Sequence, residues 1–152
     1  MDIVRAKTED AAALTNLAFA AKRHWGYPEN WMENWRGLLT IQPELINRHE
    51  TYAAILDGSI VGFYALGQKG PRMDLLHLWV LPGAMGRGIG SSLFKHAVER
   101  ARKSGCRELE IESDPNAVGF YQRMGAICSG MSANELDGRN RQLPILSYGI
   151  GR

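Results

Sequence analysis

The 152 residues contain few of the features that mark special classes of protein. Only two cysteines occur, Cys106 and Cys128, and neither belongs to a CxxC pair or a cluster with histidine. This excludes a disulfide scaffold and a zinc module, and we expect no metal centre. No apolar run approaches the roughly 20 residues of a transmembrane helix. The first ten residues carry no apolar signal core, so we expect a cytoplasmic protein.

Charge of one sign is not in excess either. The 18 basic and 16 acidic residues give a net charge of +2, too even to predict a nucleic-acid or membrane surface. Apolar residues make up 45% of the chain and charged residues 22%, the balance of an ordinary globular protein. Because no repeat or linker-like tract divides the sequence, residues 1–152 are predicted to form a single domain.

Hydrophobic periodicity predicts an α/β fold with a mixed sheet flanked by helices, in the order β-α-α-β-β-β-α-β-α-β-β. Asp57-Gly58 between two apolar runs indicates a tight hairpin, and Thr8 is the expected cap of the first helix. The predicted strands cover 2–7, 51–56, 60–66, 73–81, 107–113, 126–133 and 142–150. The predicted helices cover 11–24, 29–39, 88–104 and 115–124, with a further helical turn after Pro43.

The most informative stretch runs from Val80 to Ser91, where a strand ends, glycines 86, 88 and 90 crowd a turn, and a helix begins. Glycines permit a positive φ and close backbone approach, and the free N–H groups at a helix start attract anions. Arg87 adds a cation. The stretch fits neither a P-loop nor GxGxxG, so the common nucleotide motifs are excluded. A tight turn that needs glycine for geometry alone is the alternative.

This turn resembles the acyl-CoA-binding signature of the GNAT superfamily of N-acetyltransferases. The resemblance lies in Val80-x-Pro82 followed by Gly-Arg-Gly-Ile-Gly at 86–90. The family signature is Gln or Arg, two residues, Gly, one residue, then Gly or Ala. Met85 stands where Gln or Arg is usual, which removes one side-chain contact to a pyrophosphate. Backbone amides of 86–91 would still supply most of the binding.

A second segment, residues 114–126, resembles the late motif of the same family, Asn-x-x-Ala-x-x-(Phe/Leu)-Tyr-x-x-x-Gly-Phe. Counting back seven residues from Tyr121 puts Asp114 at the usual Asn position, and Ala126 replaces the final aromatic. Two motifs joined by the expected helix and strand identify the chain as a member of this superfamily. The resemblance implies a GNAT-like fold over nearly its whole length, with a central mixed, mostly antiparallel sheet flanked by helices.

The resemblance implies acetyl-CoA as the acetyl donor, with the backbone of 78–80 pairing with the pantetheine arm. It also implies that a backbone N–H near Val80 stabilises the oxyanion. Tyr121 occupies the position that often protonates the leaving thiolate, and an aromatic packing residue is the alternative. The implied cofactor-binding residues are Leu78, Trp79, Val80, Gly86, Arg87, Gly88, Ile89, Gly90, Ser91, Asp114 and Tyr121.

The group that takes the proton from the amine is left open. Asp74 begins the fourth strand where some family members carry a base, and Glu110 and Glu112 on the following strand compete with it. His77 has a suitable pKa, but strand alternation places it on the face opposite Asp74. We therefore keep Asp74, Glu112 and the absence of any single protein base as alternatives.

By resemblance, the acceptor lies near residues 22–35, which contain three of the four tryptophans. His24, Trp25 and Tyr27 fall in a helix–helix connection and are the candidate substrate-binding residues. Trp31 and Trp35, one helical turn apart, are interpreted as core residues.

The predicted activity is acetyl transfer from acetyl-CoA to a primary amine of a small molecule, by direct attack in a ternary complex. A protein N-terminal or lysine acetyltransferase with a peptide acceptor, and a non-catalytic acyl-CoA-binding module, are the alternatives. No nucleic acid or membrane partner is expected. The last two strands are candidates for a homodimer interface.

Overall fold

The computed structural model describes residues 1–136 and 139–151, with side chains described outside 134–141. The strands are β1 Asp2–Arg5, β2 Glu50–Leu56, β3 Ser59–Lys69, β4 Arg72–Val80, β5 Glu108–Glu112, β6 Ile127–Leu136 and β7 Arg139–Gly149. The helices are α1 Ala11–Arg23, α2 Glu29–Asn34, α3 Arg36–Leu39, α4 Pro43–Arg48, α5 Ile89–Lys103 and α6 Val118–Arg123. No described helix is both long and apolar enough to cross a membrane.

The strands form one seven-stranded sheet in the order β1-β2-β3-β4-β5-β7-β6. Every neighbouring pair is antiparallel except β4 and β5, which are parallel. This confirms the predicted α/β class and the mixed, mostly antiparallel sheet. The β2–β3 hairpin turns at Asp57 and Gly58, whose φ angles of 51° and 79° are those that its two-residue turn requires.

Two local predictions at the N-terminal helices are wrong. Thr8 does not cap α1: it begins a single 3-10 turn, Thr8–Asp10, where the Asp10 carboxylate accepts a hydrogen bond from the Lys7 N–H at 2.8 Å. The helix predicted over 29–39 is divided at Trp35, whose ψ of 0° lies outside the helical range. Local hydrogen bonding by a short acidic side chain explains the first departure.

Each face of the sheet carries its own hydrophobic core. Helices α5 and α6 cover one face around Leu93, Phe94 and Leu109, and α1 to α4 cover the other around Leu14, Met32 and Phe63; these six side chains are almost fully buried. The continuous apolar run predicted a strand covered on both sides, and β4 lies at the centre of the sheet between the two cores.

The parallel pair β4 and β5 opens the centre of the sheet. Pairing joins Arg72–Leu75 of β4 to Glu108–Ile111 of β5 and extends no further along β4. Residues 76–80 continue alongside β3 alone. The two strands therefore diverge, and the C-terminal half of β4 presents backbone groups to the opening. This divergence positions the site.

Candidate active site

A cavity of about 460 Å³ lies where β4 and β5 diverge. Its wall is built from four parts: the end of α1, the end of β4, the glycine turn with the start of α5, and the segment from β5 into α6. The lining residues are Ala21, Trp25, Leu78, Trp79, Val80, Ala84, Met85, Gly86, Gly88, Ile89, Gly90, Ser91, Asp114, Asn116, Ala117, Gly119, Phe120, Tyr121 and Arg123.

The glycine turn and the start of α5 form one part of the cavity wall. Gly86 and Gly88 have φ angles of 81° and 78°, and a Cβ on either would meet no atom within 4 Å, so their role is conformational and they border open space. Gly88 is the N-cap of α5. The N–H groups of the first helical turn have no intrahelical acceptor and carry the positive end of the helix dipole.

Tyr121 lies in the part of the cavity wall that runs from β5 into α6. It is buried in α6 and contacts the rings of Phe120 and Phe94, with centroids 5.2 and 6.0 Å away. Burial, together with the negative charge of Asp114, raises the pKa of Tyr121 above the usual phenol value. The side chain is therefore a protonated donor throughout the neutral range.

Asp114 occupies the turn between β5 and α6 and is held by several donors. Its carboxylate is ion-paired with Lys22 and accepts hydrogen bonds from the Tyr27 hydroxyl at 2.9 and 3.0 Å and from the backbone N–H of Asn116 at 2.8 Å. Burial opposes its ionisation, but the Lys22 ammonium and the hydrogen bonds outweigh that effect, so the pKa of Asp114 is lowered.

One cavity thus brings together a glycine turn at a helix start, the end of β4 that does not pair with β5, and a buried tyrosine. The model of the acetyltransferase (GNAT) family matches residues 12–126, well over half of the chain. The chain belongs to the GNAT family.

The matches to individual GNAT relatives cover only part of this chain and only part of each relative. Streptothricin acetyltransferase of Streptomyces lavendulae is 33% identical over 89 residues, 55% of this chain and 47% of that protein. Peptidyl-lysine N-acetyltransferase YjaB of Salmonella typhimurium is 37% identical over 87 residues, 57% of this chain and 54% of that protein. This chain therefore spans about half the length of these curated relatives.

A solved structure supports the GNAT fold over the whole chain. PaiA N-acetyltransferase of Thermoplasma acidophilum in complex with coenzyme A has a TM-score of 0.74 and 22% identity, and the match covers 97% of this chain and 98% of that one. At that identity the likeness shows the fold.

The two carboxylates on paired strands near the start of the opening are both engaged with cations. Asp74 Oδ1 lies 2.9 Å from Arg72 Nε, and Asp74 Oδ2 accepts a hydrogen bond from Arg72 Nη2 at 3.5 Å and lies 3.6 Å from Lys69 Nζ. Glu110 lies 3.4 Å from Arg72 Nη1. Neither lines the cavity. Glu112 is exposed at the end of β5, next to the divergence.

The expectation that His77 lies opposite Asp74 is wrong. The register between β3 and β4 shifts between Ala65/Leu66, which leaves one extra residue in β4 and reverses the alternation beyond it. Asp74 lies between two residues of the α5-side core and so faces the other side. His77 contacts Phe63 of that other core, with ring centroids 6.0 Å apart.

The bulge also fixes the chemistry of His77. Its Nδ1 accepts a hydrogen bond from Trp79 Nε1 at 3.0 Å, and burial lowers the pKa of the imidazole to about 4. His77 is therefore neutral at pH 7 and does not line the cavity.

The three candidate acceptor residues differ in position. Trp25 lines the cavity with 43% of its surface exposed, and the exposed His24 contacts its ring edge-on at 5.1 Å. Tyr27 packs against Trp31 and Trp35 at 5.8 and 4.9 Å instead of lining the cavity. Trp35 is buried and Trp31 packs against the same core, which confirms their interpretation as core residues.

The remaining predicted cofactor residues line the cavity, except Arg87, which is exposed beside the turn. The predicted site omitted eight residues that line the cavity: Ala21, Ala84, Met85, Asn116, Ala117, Gly119, Phe120 and Arg123. Five of these lie inside the second motif and could have been included with Asp114 and Tyr121. Ala21 gave no signal, because it reaches the cavity only through the packing of α1.

Proposed function

We propose that this chain is an acetyl-CoA-dependent N-acetyltransferase that transfers the acetyl group to a primary amine of a small molecule, by direct attack in a ternary complex. The observation that carries the proposal is that one cavity brings together the glycine turn, the open half of β4 and Tyr121. The relative that acetylates streptothricin supports a small-molecule acceptor.

The residues present fit acetyl-CoA, which supplies the acetyl group as a thioester. The N–H groups of 86–91 suit the pyrophosphate, since helix N-termini bind anions and the turn leaves room for a close approach. The backbone of Leu78–Val80 suits the pantetheine arm, because this part of β4 has no pairing to β5. Met85, 37% exposed at the cavity, contributes no charge to the pyrophosphate.

Tyr121 is proposed to donate its hydroxyl proton toward the leaving sulfur. Burial and the charge of Asp114 raise the pKa of the phenol, so the hydroxyl stays protonated at neutral pH and can donate a hydrogen bond to the developing thiolate. A backbone N–H near Val80 is the proposed oxyanion donor. For the proton of the amine, Asp74, Glu112 and water remain the candidates. The carboxylate of Asp74 is already engaged by Arg72, and neither Asp74 nor Glu112 lines the cavity, which favours proton transfer to water.

A peptide acceptor is the second candidate, supported by the peptidyl-lysine relative. The test begins with calorimetric titration of the protein with acetyl-CoA, and with free CoA and ATP as controls. Micromolar, CoA-selective binding supports the proposal, and no binding overturns it. Thiol release with matched panels of small amines and lysine peptides then identifies the acceptor class. Binding without turnover on either panel favours the non-catalytic module.

Tyr121→Phe tests the proposed acid. We expect kcat to fall about 100-fold, the low end of general acid catalysis, with the acetyl-CoA affinity unchanged. Tyr148→Phe is the matched control, because Tyr148 also contacts the Phe94 ring, at 5.3 Å, but does not line the cavity. Equal turnover in Tyr121→Phe and the native protein would remove the acid role.

A further inference from the structure

A buried ion pair joins two parts of the cavity wall, the end of α1 and the segment from β5 into α6. Lys22, in the last turn of α1, meets Asp114, 92 residues later, and the two side chains are only 11% and 9% exposed. The Lys22 ammonium also lies 4.2 Å from the Trp35 ring centroid and 5.0 Å from that of Tyr27. Burying two charges is costly unless both are well partnered, and here both are.

The carboxylate of Asp114 connects three chain segments. One oxygen accepts from Lys22 and from the Tyr27 hydroxyl, and the other accepts from Tyr27 and from both the backbone and side-chain nitrogens of Asn116. The Asn116 side chain also donates to the Tyr27 hydroxyl at 3.0 Å. With both oxygens engaged by protein donors, Asp114 is built to hold the protein together at this point.

These contacts span the α1–α2 connection, residues 24–28, which carries Trp25. Asp114 and Asn116 belong to the segment that leads into α6 and Tyr121. Trp25, Asp114 and Tyr121 all line the cavity. The ion pair therefore fixes the distance between the acceptor-side wall and the proposed acid.

We propose that Lys22 and Asp114 are positioning residues that hold the α1–α2 connection in the geometry that binds the acceptor amine. This inference rests on the proposed acetyl transfer. It assigns to Asp114 a role in acceptor binding instead of a direct contact with acetyl-CoA. It follows that loss of the pair raises the KM of the acceptor and leaves the acetyl-CoA site at 86–91 intact.

The test replaces both charges together in Lys22→Met/Asp114→Asn, so that no unpaired charge stays buried. The control, Arg100→Met/Glu50→Gln, removes a bidentate ion pair with both contacts at 2.7 Å, between α5 and β2 and away from the cavity. Hydrogen exchange of the unliganded proteins measures local opening, and steady-state kinetics with calorimetry measures the acceptor KM, kcat and the acetyl-CoA Kd.

We expect amide exchange over residues 24–31 and the acceptor KM each to rise about ten-fold or more in the first double variant, with kcat and the acetyl-CoA Kd within about three-fold of the native values. The control variant should leave both the amide exchange over residues 24–31 and the acceptor KM unchanged. Unchanged exchange and KM, or an equal weakening of acetyl-CoA binding, would overturn the proposal.

A milder variant and the exchange measurement test the role of the pair even if the double variant does not fold or no amine is acetylated. If the double variant does not fold, Tyr27→Phe removes one hydroxyl from the Asp114 network and should raise the KM by a smaller factor; an unchanged KM would count against the proposal. Amide hydrogen exchange can be measured without any acetyl transfer. If no amine is acetylated, the proposed function fails, while the exchange over 24–31 still decides whether the pair holds this connection.

Discussion

Gly88 combines a left-handed backbone conformation with a position beside the cavity. It caps α5, has a φ of 78°, and borders the cavity. Gly105, just beyond the other end of the same helix, has a φ of 82° and does not line the cavity. A Cβ at either position would meet no atom within 4 Å. The two glycines thus present the same backbone strain to substitution and differ in their distance from the proposed pyrophosphate site.

Gly88→Ala should weaken acetyl-CoA binding about 10- to 100-fold, because the turn must shift to relieve the positive φ and one charge-assisted hydrogen bond is lost. Both substitutions should lower the free energy of unfolding by roughly 1–2 kcal/mol, but Gly105→Ala should leave the acetyl-CoA affinity unchanged. Calorimetry and urea unfolding of both variants measure the two quantities. Equal affinities in the two variants would contradict a role for the turn in binding.

The residues differ in how far local sequence could predict them. The glycine turn was predictable because strand, glycines and helix start follow one another within twelve residues. The partner of Asp114 was not, because Lys22 is 92 positions away and its burial depends on how α1 packs against the β5–α6 turn. A lysine in an amphipathic helix predicts an exposed side chain. The Asp114 carboxylate and the rings of Tyr27 and Trp35 make the burial of Lys22 tolerable.

At the scale of elements, the bulge in β4 decides which side chains share a face. It places His77 in the core of the α1 side, where burial lowers the pKa of the imidazole to about 4. The unfolded chain, with a pKa near 6.5, therefore binds a proton more tightly than the folded protein between about pH 6.5 and pH 4. The contribution of neutral His77 to the free energy of unfolding is fully present above about pH 6.5 and is lost as the pH falls toward 4.

We expect this one group to lower the free energy of unfolding by about 3 kcal/mol between pH 7 and pH 4. In His77→Asn, whose amide oxygen can still accept from Trp79 Nε1, that part of the loss should disappear. His96, whose pKa burial also lowers, adds to the dependence that remains. Urea unfolding at both pH values measures the effect, with His24→Asn at the exposed surface as the control. An unchanged pH dependence in His77→Asn would contradict the assignment.

The contact between α5 and β3 is set by a second element-scale feature, the small volume at Gly62. A Cβ there would lie 2.9 Å from Leu93 Cδ1 and 3.0 Å from the Trp79 carbonyl oxygen, so Gly62→Ala should destabilise the protein by about 1–3 kcal/mol. Gly37→Ala, in α3 with no atom within 4 Å of the new Cβ, should stabilise it by about 0.5–1 kcal/mol. Thermal unfolding of both variants checks the opposite signs; a shared sign would contradict this account of the packing.

The elements that could be predicted are those with strong local signals. Asp57-Gly58 defined the β2–β3 hairpin, and the apolar stripe through Leu93 and Ala97 defined α5. The break at Trp35 and the extra residue in β4 have no such signal, since neither contains a glycine or proline at the irregular position. Local periodicity predicts regular elements and does not contain the tertiary contacts made at such irregular positions.

At the scale of the whole molecule, the sheet separates two cores and the divergence of β4 from β5 leaves a cavity between their edges. One wall belongs to α5 and α6 on one face, and Ala21 and Trp25 come from the other face. This divergence was not predicted from the sequence, because periodicity does not show where two paired strands separate. A ligand that fills the cavity would contact parts of the molecule that pack against different cores.

Acetyl-CoA should therefore raise the melting temperature of the whole domain. At a concentration 100 times its Kd, a ligand that binds only the folded state adds about 2.7 kcal/mol, which corresponds to roughly 5–10 °C for a chain of this size. Differential scanning calorimetry over a series of acetyl-CoA concentrations measures the shift, and ATP is the control for non-specific anion binding. A single transition that moves upward with acetyl-CoA but not with ATP is expected, because binding across both walls couples the two faces of the sheet. Separate transitions, only one of which responds, would contradict that coupling.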